Sequence, residues 1–329
     1  MTLSMRKFLA LLAAHGILAE DSWATWRAVL IGTNGEPLTH EERERFMRFA
    51  NREPPTAPVS LAAFFIGRRG GKDRAAAVQL VYLALCGEWR LDAGELGVAM
   101  LLAVDRAGSR VALGYVNGLF DAVPLLAAEV AGRTADAIEL RNGVTIQIAT
   151  SDHAAVRGRT LLVAILDEFS FWPQESAEEI LRALRPAMAT QPHSRLIIIS
   201  SVYSRRGIAY EILSRHGLDV PHELVVVGAT RDFNSTIAAS FIDREIELDP
   251  QGASAEYLSI PRSDVEQFID RELIDARTRT EPRELPYITM HPGGGPIHYV
   301  GGVDLSGGRG DAAAAAVVLH RADRPGEVI

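Results

Sequence analysis

Residues 62–85 contain an apolar run, a turn with three glycines and a helix-forming run, in that order. The turn covers residues 67–71, and Lys72 follows it directly. A strand, a glycine-rich turn and a helix in succession bring backbone N–H groups and the positive end of a helix dipole to one point, which is how many proteins hold phosphate groups. This order therefore predicts a phosphate-binding loop within an α/β fold.

Lysine is nearly absent from this chain. Lys7 and Lys72 are the only lysines among the 34 basic residues, and all the others are arginine. A compact ammonium group can reach between phosphate oxygens, where a broad guanidinium is less well suited. A lysine placed directly after the glycine-rich turn therefore favours a nucleoside triphosphate as the ligand.

Composition excludes several classes of protein. With 329 residues, of which 47% are hydrophobic, the chain can bury a substantial core and is expected to form two domains, or one with an appendage. The net charge of −8 gives no overall attraction to nucleic acid, so any DNA contact would need a local arginine patch or a channel built by several subunits. Cys86 is the only cysteine, which excludes intrachain disulfides and a Cys-rich zinc site.

The N-terminal residues resemble a secretory signal only superficially. An apolar run at 8–14 follows Arg6 and Lys7, but His15 and Gly16 interrupt it and no convincing cleavage site follows. An amphipathic helix is the better interpretation, and no apolar run approaches membrane-spanning length. We therefore expect a soluble protein of the cytoplasm.

The chain divides into four successive segments. Residues 1–58 are predicted to be helical and end in a proline-rich stretch. Apolar and helix-forming stretches alternate over 59–228, which favours a core built on a mostly parallel sheet covered on both faces. Residues 229–296 are dense in charge and end in a glycine-rich linker, and a new strand begins after it in 297–329. Two strands cannot form a domain, so this last segment is expected to be the start of one.

Within residues 59–228 the apolar and amphipathic patterns set the expected element positions. Strands are predicted at Ala62–Ile66, Gly97–Val104, Val144–Ala149, Leu161–Leu166, Arg195–Ser200 and Glu223–Val227. Helices are predicted at Arg74–Leu85, Arg106–Phe120, Glu175–Leu184 and Arg206–Arg215.

Two adjacent carboxylates follow the apolar strand at 161–166, namely Asp167 and Glu168. Buried strands rarely end in two neighbouring carboxylates unless a cation meets them. In phosphoryl-transfer enzymes one carboxylate at a strand end holds Mg²⁺ and a second orients the attacking water. The alternative is that Asp167 only caps the next helix, and the upstream lysine-bearing loop argues against it.

Together these motifs resemble those of one family, the large terminase subunits of tailed phages and prophages, which are ATPases that pump DNA into capsids. The glycine-rich loop at 67–72 is similar to their arginine-containing Walker A loop, and Asp167-Glu168 resembles their Walker B pair. The resemblance runs from about residue 40 to the end of the chain. It extends to a serine- and arginine-bearing loop at 151–159, a coupling motif at 195–207 and the first strand of an RNase H-like nuclease domain at 302–306.

The resemblance implies an ASCE-type P-loop ATPase that uses ATP and Mg²⁺, with a role for each residue. Lys72 would bind the β- and γ-phosphates together with the loop backbone. Asp167 would hold Mg²⁺, and Glu168 would polarise the attacking water. Ser200 and Ser201 would relay the nucleotide state to the linker, with packing at a strand end as the alternative. The loop residues that would bind nucleotide are Gly67, Arg68, Arg69, Gly70, Gly71, Lys72 and Asp73.

The resemblance also assigns arginines and partners. Arg68 or Arg69 would sense the γ-phosphate in cis, and Arg157 would reach into a neighbouring subunit, with a surface salt bridge as the alternative for Arg157. The implied partners are double-stranded DNA, a small terminase subunit and the portal protein of a procapsid. The active form would be a ring of several copies in the host cytoplasm, without a membrane.

The sequence departs from the family pattern at Asp73, at Ile66 and in the nuclease segment. Asp73 stands where a serine or threonine hydroxyl usually binds Mg²⁺; a carboxylate can ligate this ion but would lie close to phosphate charge. Ile66 replaces the first glycine of the common loop spacing. In the nuclease segment only Asp304 is clearly in place as a metal ligand, so this chain is not expected to cut DNA.

Other functions stay open on the sequence. A helicase-like, nucleic-acid-dependent P-loop ATPase has a similar order of strands and motifs. A catalytically silent nucleotide-binding subunit is the other alternative, since Asp73 replaces the hydroxyl. An actin-like phosphate loop at 303–308 leaves Lys72, Asp167 and Glu168 unexplained and is ranked last.

Overall fold

The computed structural model describes residues 3–150, 156 and 158–262, together with the backbone of 297–304 and 314–321. The chain divides into two compact units, Met1–Phe268 and Ile269–Ile329. The predicted boundaries near residues 58, 228 and 296 stay predictions. The sequence of residues 263–266 is a capping box that predicts a helix after it, and this segment lies outside the described residues.

The first unit is built on an eight-stranded sheet in the order β3-β4-β5-β2-β6-β7-β1-β8. From β5 to β8 every neighbouring pair is parallel, whereas β3 and β4 pair antiparallel with each other and β4 pairs antiparallel with β5. The strands are β1 (Leu61–Ile66), β2 (Gly97–Ala103), β3 (Val130–Arg133), β4 (Ala137–Leu140), β5 (Val144–Thr150), β6 (Thr160–Asp167), β7 (Arg195–Ser200) and β8 (Glu223–Gly228).

The mostly parallel α/β sheet and its six predicted strands are confirmed. The central strands are buried along almost their whole length, as continuous apolar sequence predicts for a sheet covered on both faces. The sequence analysis missed β3 and β4, which are only four residues long. β3 alternates between partly buried and exposed positions, and β4 buries only two of its residues. Strands this short carry no continuous apolar run.

The helices surround this sheet. Each of the four helices predicted within residues 59–228 is present, with ends that differ by at most four residues, and α4 begins at Lys72 rather than at Arg74. No helix in the described part of the chain is long and apolar enough to cross a membrane. The helices are α1 (Met5–Ala13), α2 (Ala24–Thr33), α3 (His40–Ala50), α4 (Lys72–Cys86), α5 (Arg106–Ala122), α6 (Pro124–Ala127), α7 (Gln174–Met188), α8 (Gly207–Leu213), α9 (Thr230–Phe233), α10 (Ala239–Leu248) and α11 (Pro250–Leu258).

Alternate residues of β1 enter two separate apolar cores. Phe64 and Ile66 pack into the larger core with helices α1 to α5. Ala63 and Phe65 pack on the opposite side with α7 and α8. Because successive side chains of a strand point to opposite faces, the two cores cover the two faces of the sheet. This double cover holds the carboxyl ends of β1, β6 and β7 in fixed positions beside one another.

The described part of the second unit is a pair of strands, β9 (Ile297–Asp304) and β10 (Ala314–Arg321). They pair antiparallel over their whole length, from Asp304 opposite Ala314 to Ile297 opposite Arg321. The glycine-rich stretch 307–310 predicts a hairpin turn between them, and it lies outside the described residues. The RNase H-like assignment of this segment stays a prediction.

Candidate active site

The glycine-rich turn joins the end of β1 to the start of α4. Within it, Arg69 and Gly71 both adopt left-handed backbone, with φ of +62° and +82°. Gly71 is the residue that precedes the first helical turn, so the amides of Lys72 and Asp73 have no partner inside the helix. Left-handed residues that alternate with right-handed ones turn successive N–H groups toward one side and form a concave site for an anion.

Glycine is required in this turn because neighbouring backbone and side chains approach it closely. A Cβ on Gly67 would lie 2.5 Å from Thr230 Oγ1 and 2.6 Å from the carbonyl oxygen of Tyr257. The Gly67 amide donates to Gly228 O at 3.0 Å, and the Arg68 amide donates to Glu256 O at 2.6 Å. The base of the turn is therefore fixed by β8 and α11.

Lys72 is the first residue of α4, and its side chain is only 4% exposed. Its Nζ lies 2.9 Å from Oε1 of Glu168. A buried ammonium needs compensating negative charge. In this structure Glu168 supplies that charge, and the Lys72 ammonium is held at the mouth of the turn.

Asp167 is the last residue of β6, and it is 9% exposed. Its Oδ1 is buried and has no hydrogen-bond partner among the described residues. Burial raises the pKa of this carboxyl group to about 7, and the nearby charges of Asp73 and Glu168 add to the effect. The alternative role of Asp167 as a helix cap is wrong, because Glu168 precedes the short 3-10 helix Phe169–Phe171 and no side-chain cap is present there.

Glu168 adopts a left-handed backbone with φ of +50°. Such a conformation is uncommon outside glycine and is found often at functional sites. The turn directs the carboxylate toward Lys72 on one side and the end of β7 on the other. Its Oε2 lies 3.4 Å from both Ser200 Oγ and the amide of Ser201. The two predicted coupling residues are thus in contact with Glu168.

Asp73 follows Lys72 in the first turn of α4. Burial raises the pKa of its carboxyl group, the charge of Lys72 lowers it, and the charge of Glu168 raises it again. Asp73, Asp167 and Glu168 therefore lie close enough to one another for their charges to interact. The charges of Lys72 and Arg69 oppose this clustering of carboxylates, since both lower the pKa of Asp73.

The donor set fits Mg²⁺ that is held mainly by phosphate and water. Among the described residues, no group of three or more His, Cys, Asp or Glu side chains has the arrangement of a metal site. Mg²⁺ bound with a nucleotide commonly takes only one or two protein carboxylates, with phosphate oxygens and water completing its six ligands. Asp167 Oδ1, which has no hydrogen-bond partner among the described residues, and the nearby Asp73 carboxylate would be available as such ligands.

The two loop arginines, Arg68 and Arg69, differ in their contacts. Arg68 pairs with Glu256 at 3.2 Å, and its side chain is half exposed. Both arginines line the same cavity as Lys72 and Glu168, and of the two only Arg68 is held in an ion pair among the described residues. Arg69 is therefore the better placed of the two to meet a phosphate group. Arg157 lies outside the described residues, and of Asp304 the structure describes only the backbone at the end of β9.

A cavity of about 750 Å³ opens over the turn. This volume suits a ligand of the size of a nucleotide. Sequence motifs account for half of its twelve lining residues, and the other six lie at scattered positions that form no motif. The missed residues that line it are Trp23, Arg74, Tyr115, Asn234, Phe241 and Tyr257.

Replacing Asp167 with asparagine should stabilise the protein at neutral and alkaline pH in metal-free buffer. The folded-state pKa of about 7 lies above the ordinary value of 3.8, so the folded state binds the proton more tightly than the unfolded state does. The contribution of this carboxyl group to the free energy of unfolding is fully present at acid pH, where the group is protonated. It is lost as the pH rises toward 7. We expect a gain of about 2–4 kcal/mol in unfolding free energy at pH 8 and almost none at pH 4.

Urea denaturation of both proteins at pH 4, 6 and 8 checks this expectation. Glu178→Gln is a control, since Glu178 pairs with Arg182 on the exposed surface of α7. Equal stability of Asp167→Asn and the wild type at pH 8 would contradict the conclusion that the Asp167 carboxylate is buried without a partner.

Comparisons with known proteins identify the fold. No protein-family model matches this chain, and no curated protein sequence matches it. Solved structures do match. An arginine-to-alanine variant of the Thermus phage P74-26 large terminase ATPase domain has 16% identity and a TM-score of 0.50, covering 68% of this chain and 94% of that one. The HK97 bacteriophage large terminase has 18% identity and a TM-score of 0.55, covering 79% of this chain and 56% of that one. The chain therefore has the fold of phage large terminase ATPase domains.

Proposed function

We propose that this chain hydrolyses ATP and is the motor portion of a phage large terminase subunit, which moves double-stranded DNA into a capsid. One observation carries the proposal: Lys72, at the glycine-rich turn after β1, lies 2.9 Å from Glu168, at the end of β6. The two residues are 96 positions apart in the sequence, and β7 lies between their strands in the sheet. The fold shared with the two phage terminases supports the same function.

The residues divide the chemistry between phosphate binding and water activation. The loop amides and Lys72 would bind the β- and γ-phosphates and neutralise charge that develops in the transition state. Phosphate oxygens would compete with Glu168 for Lys72, which would free the carboxylate to polarise the attacking water. Asp167, with Asp73 beside it, would hold Mg²⁺, which when bound neutralises phosphate charge.

The remaining residues would complete the site and transmit its state. Arg69 would sense the γ-phosphate from within the same subunit, and Arg157 is proposed to act on a neighbouring subunit. Ser200 and Ser201 contact Glu168, so a shift of that carboxylate would reach the loop that follows β7. In that loop Tyr203 O accepts from the Arg262 amide at 2.8 Å, which links it to the residues before 263.

We further propose the assembly implied by this function. The chain would act as a ring of several copies in the host cytoplasm, with double-stranded DNA, a small terminase subunit and a portal protein as partners. The nuclease role of Asp304 belongs to the same proposal, as does the expectation that this chain alone does not cut DNA.

Phosphate release from ATP by the purified protein tests the proposal directly. We expect Mg²⁺-dependent turnover that double-stranded DNA stimulates several-fold, measured with and without DNA of a few hundred base pairs. A DNA of the same length in single-stranded form is the matched control. Strand separation without any packaging component would instead favour a helicase-like ATPase.

Asp73 favours a second candidate, a nucleotide-binding subunit without turnover. Its buried carboxyl group replaces the hydroxyl usual at this position and places negative charge beside the phosphate site. In this case the protein would bind ATP measurably and release no phosphate. Recovery of hydrolysis by Asp73→Ser would then identify Asp73 as the cause.

A further inference from the structure

Three consecutive carbonyl groups of the glycine-rich turn are each held by a side chain from elsewhere in the chain. Thr230 Oγ1 donates to Arg68 O at 2.7 Å, and Asn234 Nδ2 donates to Arg69 O at 2.8 Å. Trp26 Nε1 donates to Gly70 O at 2.7 Å. The geometry points to Trp26, Thr230 and Asn234 as positioning residues that hold the turn in its phosphate-binding shape. This inference rests on the proposed function, because it concerns binding at the same site.

The physical reason lies in the geometry of the peptide group. The carbonyl oxygen of a residue and the amide of the next residue belong to one planar unit and point in opposite directions. Three donors that hold the carbonyls of residues 68–70 therefore also orient the amides of residues 69–71. Of these, the Gly70 amide donates to Gly67 O at 2.9 Å. In the described part of the chain, the amides of Arg69 and Gly71 donate to no other backbone group. Fixed, convergent amides bind an anion without a cost of reorganisation.

Burial separates two of these donors from ordinary surface contacts, whereas Asn234 is partly exposed. Trp26 and Thr230 are fully buried, so each hydrogen bond satisfies a group that water cannot reach. Asn234 is oriented in turn, because its Oδ1 accepts from the amide and the hydroxyl of Thr236 at 3.1 and 2.6 Å. Trp26 also packs against Phe64 and Phe233, which lie beside the turn.

The chain provides matched controls for two of these residues. Thr25, on α2, is a buried threonine like Thr230. Its hydroxyl donates to Asp232 O on α9 at 3.1 Å and not to the turn. Trp89 donates from Nε1 to Leu83 O at 3.0 Å, at the far end of α4. Thr25→Val and Trp89→Phe therefore each remove the same kind of hydrogen bond without releasing a carbonyl of the turn.

Binding of inorganic triphosphate and of Mg·ADP, measured by calorimetry, tests the inference. We expect Thr230→Val and Trp26→Phe to weaken both ligands about five- to twentyfold, because a released carbonyl can rotate and withdraw the adjoining amide. Thr230→Ser keeps the hydroxyl and should bind like the wild type. Thr25→Val and Trp89→Phe should bind both ligands with affinities within twofold of the wild type, even if their melting temperatures fall as far as those of Thr230→Val and Trp26→Phe.

The outcomes distinguish this inference from the proposed function. If the wild type binds both ligands and Thr230→Val and Trp26→Phe bind them equally well, the positioning role is wrong and the proposed function is untouched. If the control variants lose as much affinity as the test variants, a general loss of packing explains the effect and the inference is likewise overturned. If the wild type binds neither ligand, the proposed function fails and the positioning role fails with it.

Discussion

Replacing Lys72 with alanine should reduce ATP hydrolysis by at least about a thousandfold, because the buried ammonium provides the main positive charge at the phosphates. The same change should weaken binding of inorganic triphosphate. Glu168 would lose its partner at 2.9 Å, but its side chain is 34% exposed and water can solvate it. We therefore expect the Lys72→Ala protein to fold. Phosphate release and calorimetric binding measure the two effects.

Lys7 provides the control for this substitution, because it is the only other lysine in the chain and lies exposed on α1. Lys7→Ala should hydrolyse ATP within twofold of the wild type. Turnover by Lys72→Ala at more than a tenth of the wild-type rate would show that the ammonium does not contact the reacting phosphates. The glycine-rich turn would then have some other role.

Sequence alone was sufficient for the central sheet and for the two segments that form the site. Continuous apolar strands such as Leu161–Leu166 are visible locally, and so is a glycine-rich turn that ends in a rare lysine. Parallel strands present their carboxyl ends at one edge of the sheet. The closeness of Lys72 and Glu168 therefore follows from the fold class once the strands are identified, and the structure shows it as a direct ion pair.

Other parts of the site were not predictable because their signals are not local. Trp26 and Thr230 act on the turn from positions 44 and 162 residues away in the sequence. A single tryptophan or threonine at such a distance resembles any core residue until tertiary packing brings it to the turn. The same holds for Glu256, which pairs with Arg68 from α11.

The left-handed backbone at Glu168 is also a tertiary effect. Glutamate has no intrinsic preference for positive φ, so the conformation depends on the surrounding contacts. Trp172 provides one of them, because its Nε1 donates to Asp167 O at 2.8 Å and fixes the peptide just before the turn. Ser200 Oγ provides another by accepting from the Ser170 amide at 3.1 Å.

Replacing Glu168 with glutamine should lower kcat by about a hundred- to ten-thousandfold while nucleotide binding is kept. The amide has nearly the same volume and still reaches Ser200 and Ser201, but it cannot accept a proton from water. It also no longer competes with phosphate for Lys72, so the affinity for ATP should stay the same or rise. Single-turnover phosphate release and calorimetric binding separate the two quantities.

The opposite result would assign Glu168 a different role. If Glu168→Gln weakens ATP binding and leaves kcat unchanged, the carboxylate is only a structural partner that holds Lys72 in place. Glu178→Gln, at a surface pair with Arg182 on α7, should change neither quantity and so controls for the loss of one negative charge. Loss of binding with Lys72→Ala and loss of turnover alone with Glu168→Gln would together separate phosphate capture from water activation. The proposed division of roles within the ion pair requires this separation. If the pair were purely structural, either substitution would lower the same quantity.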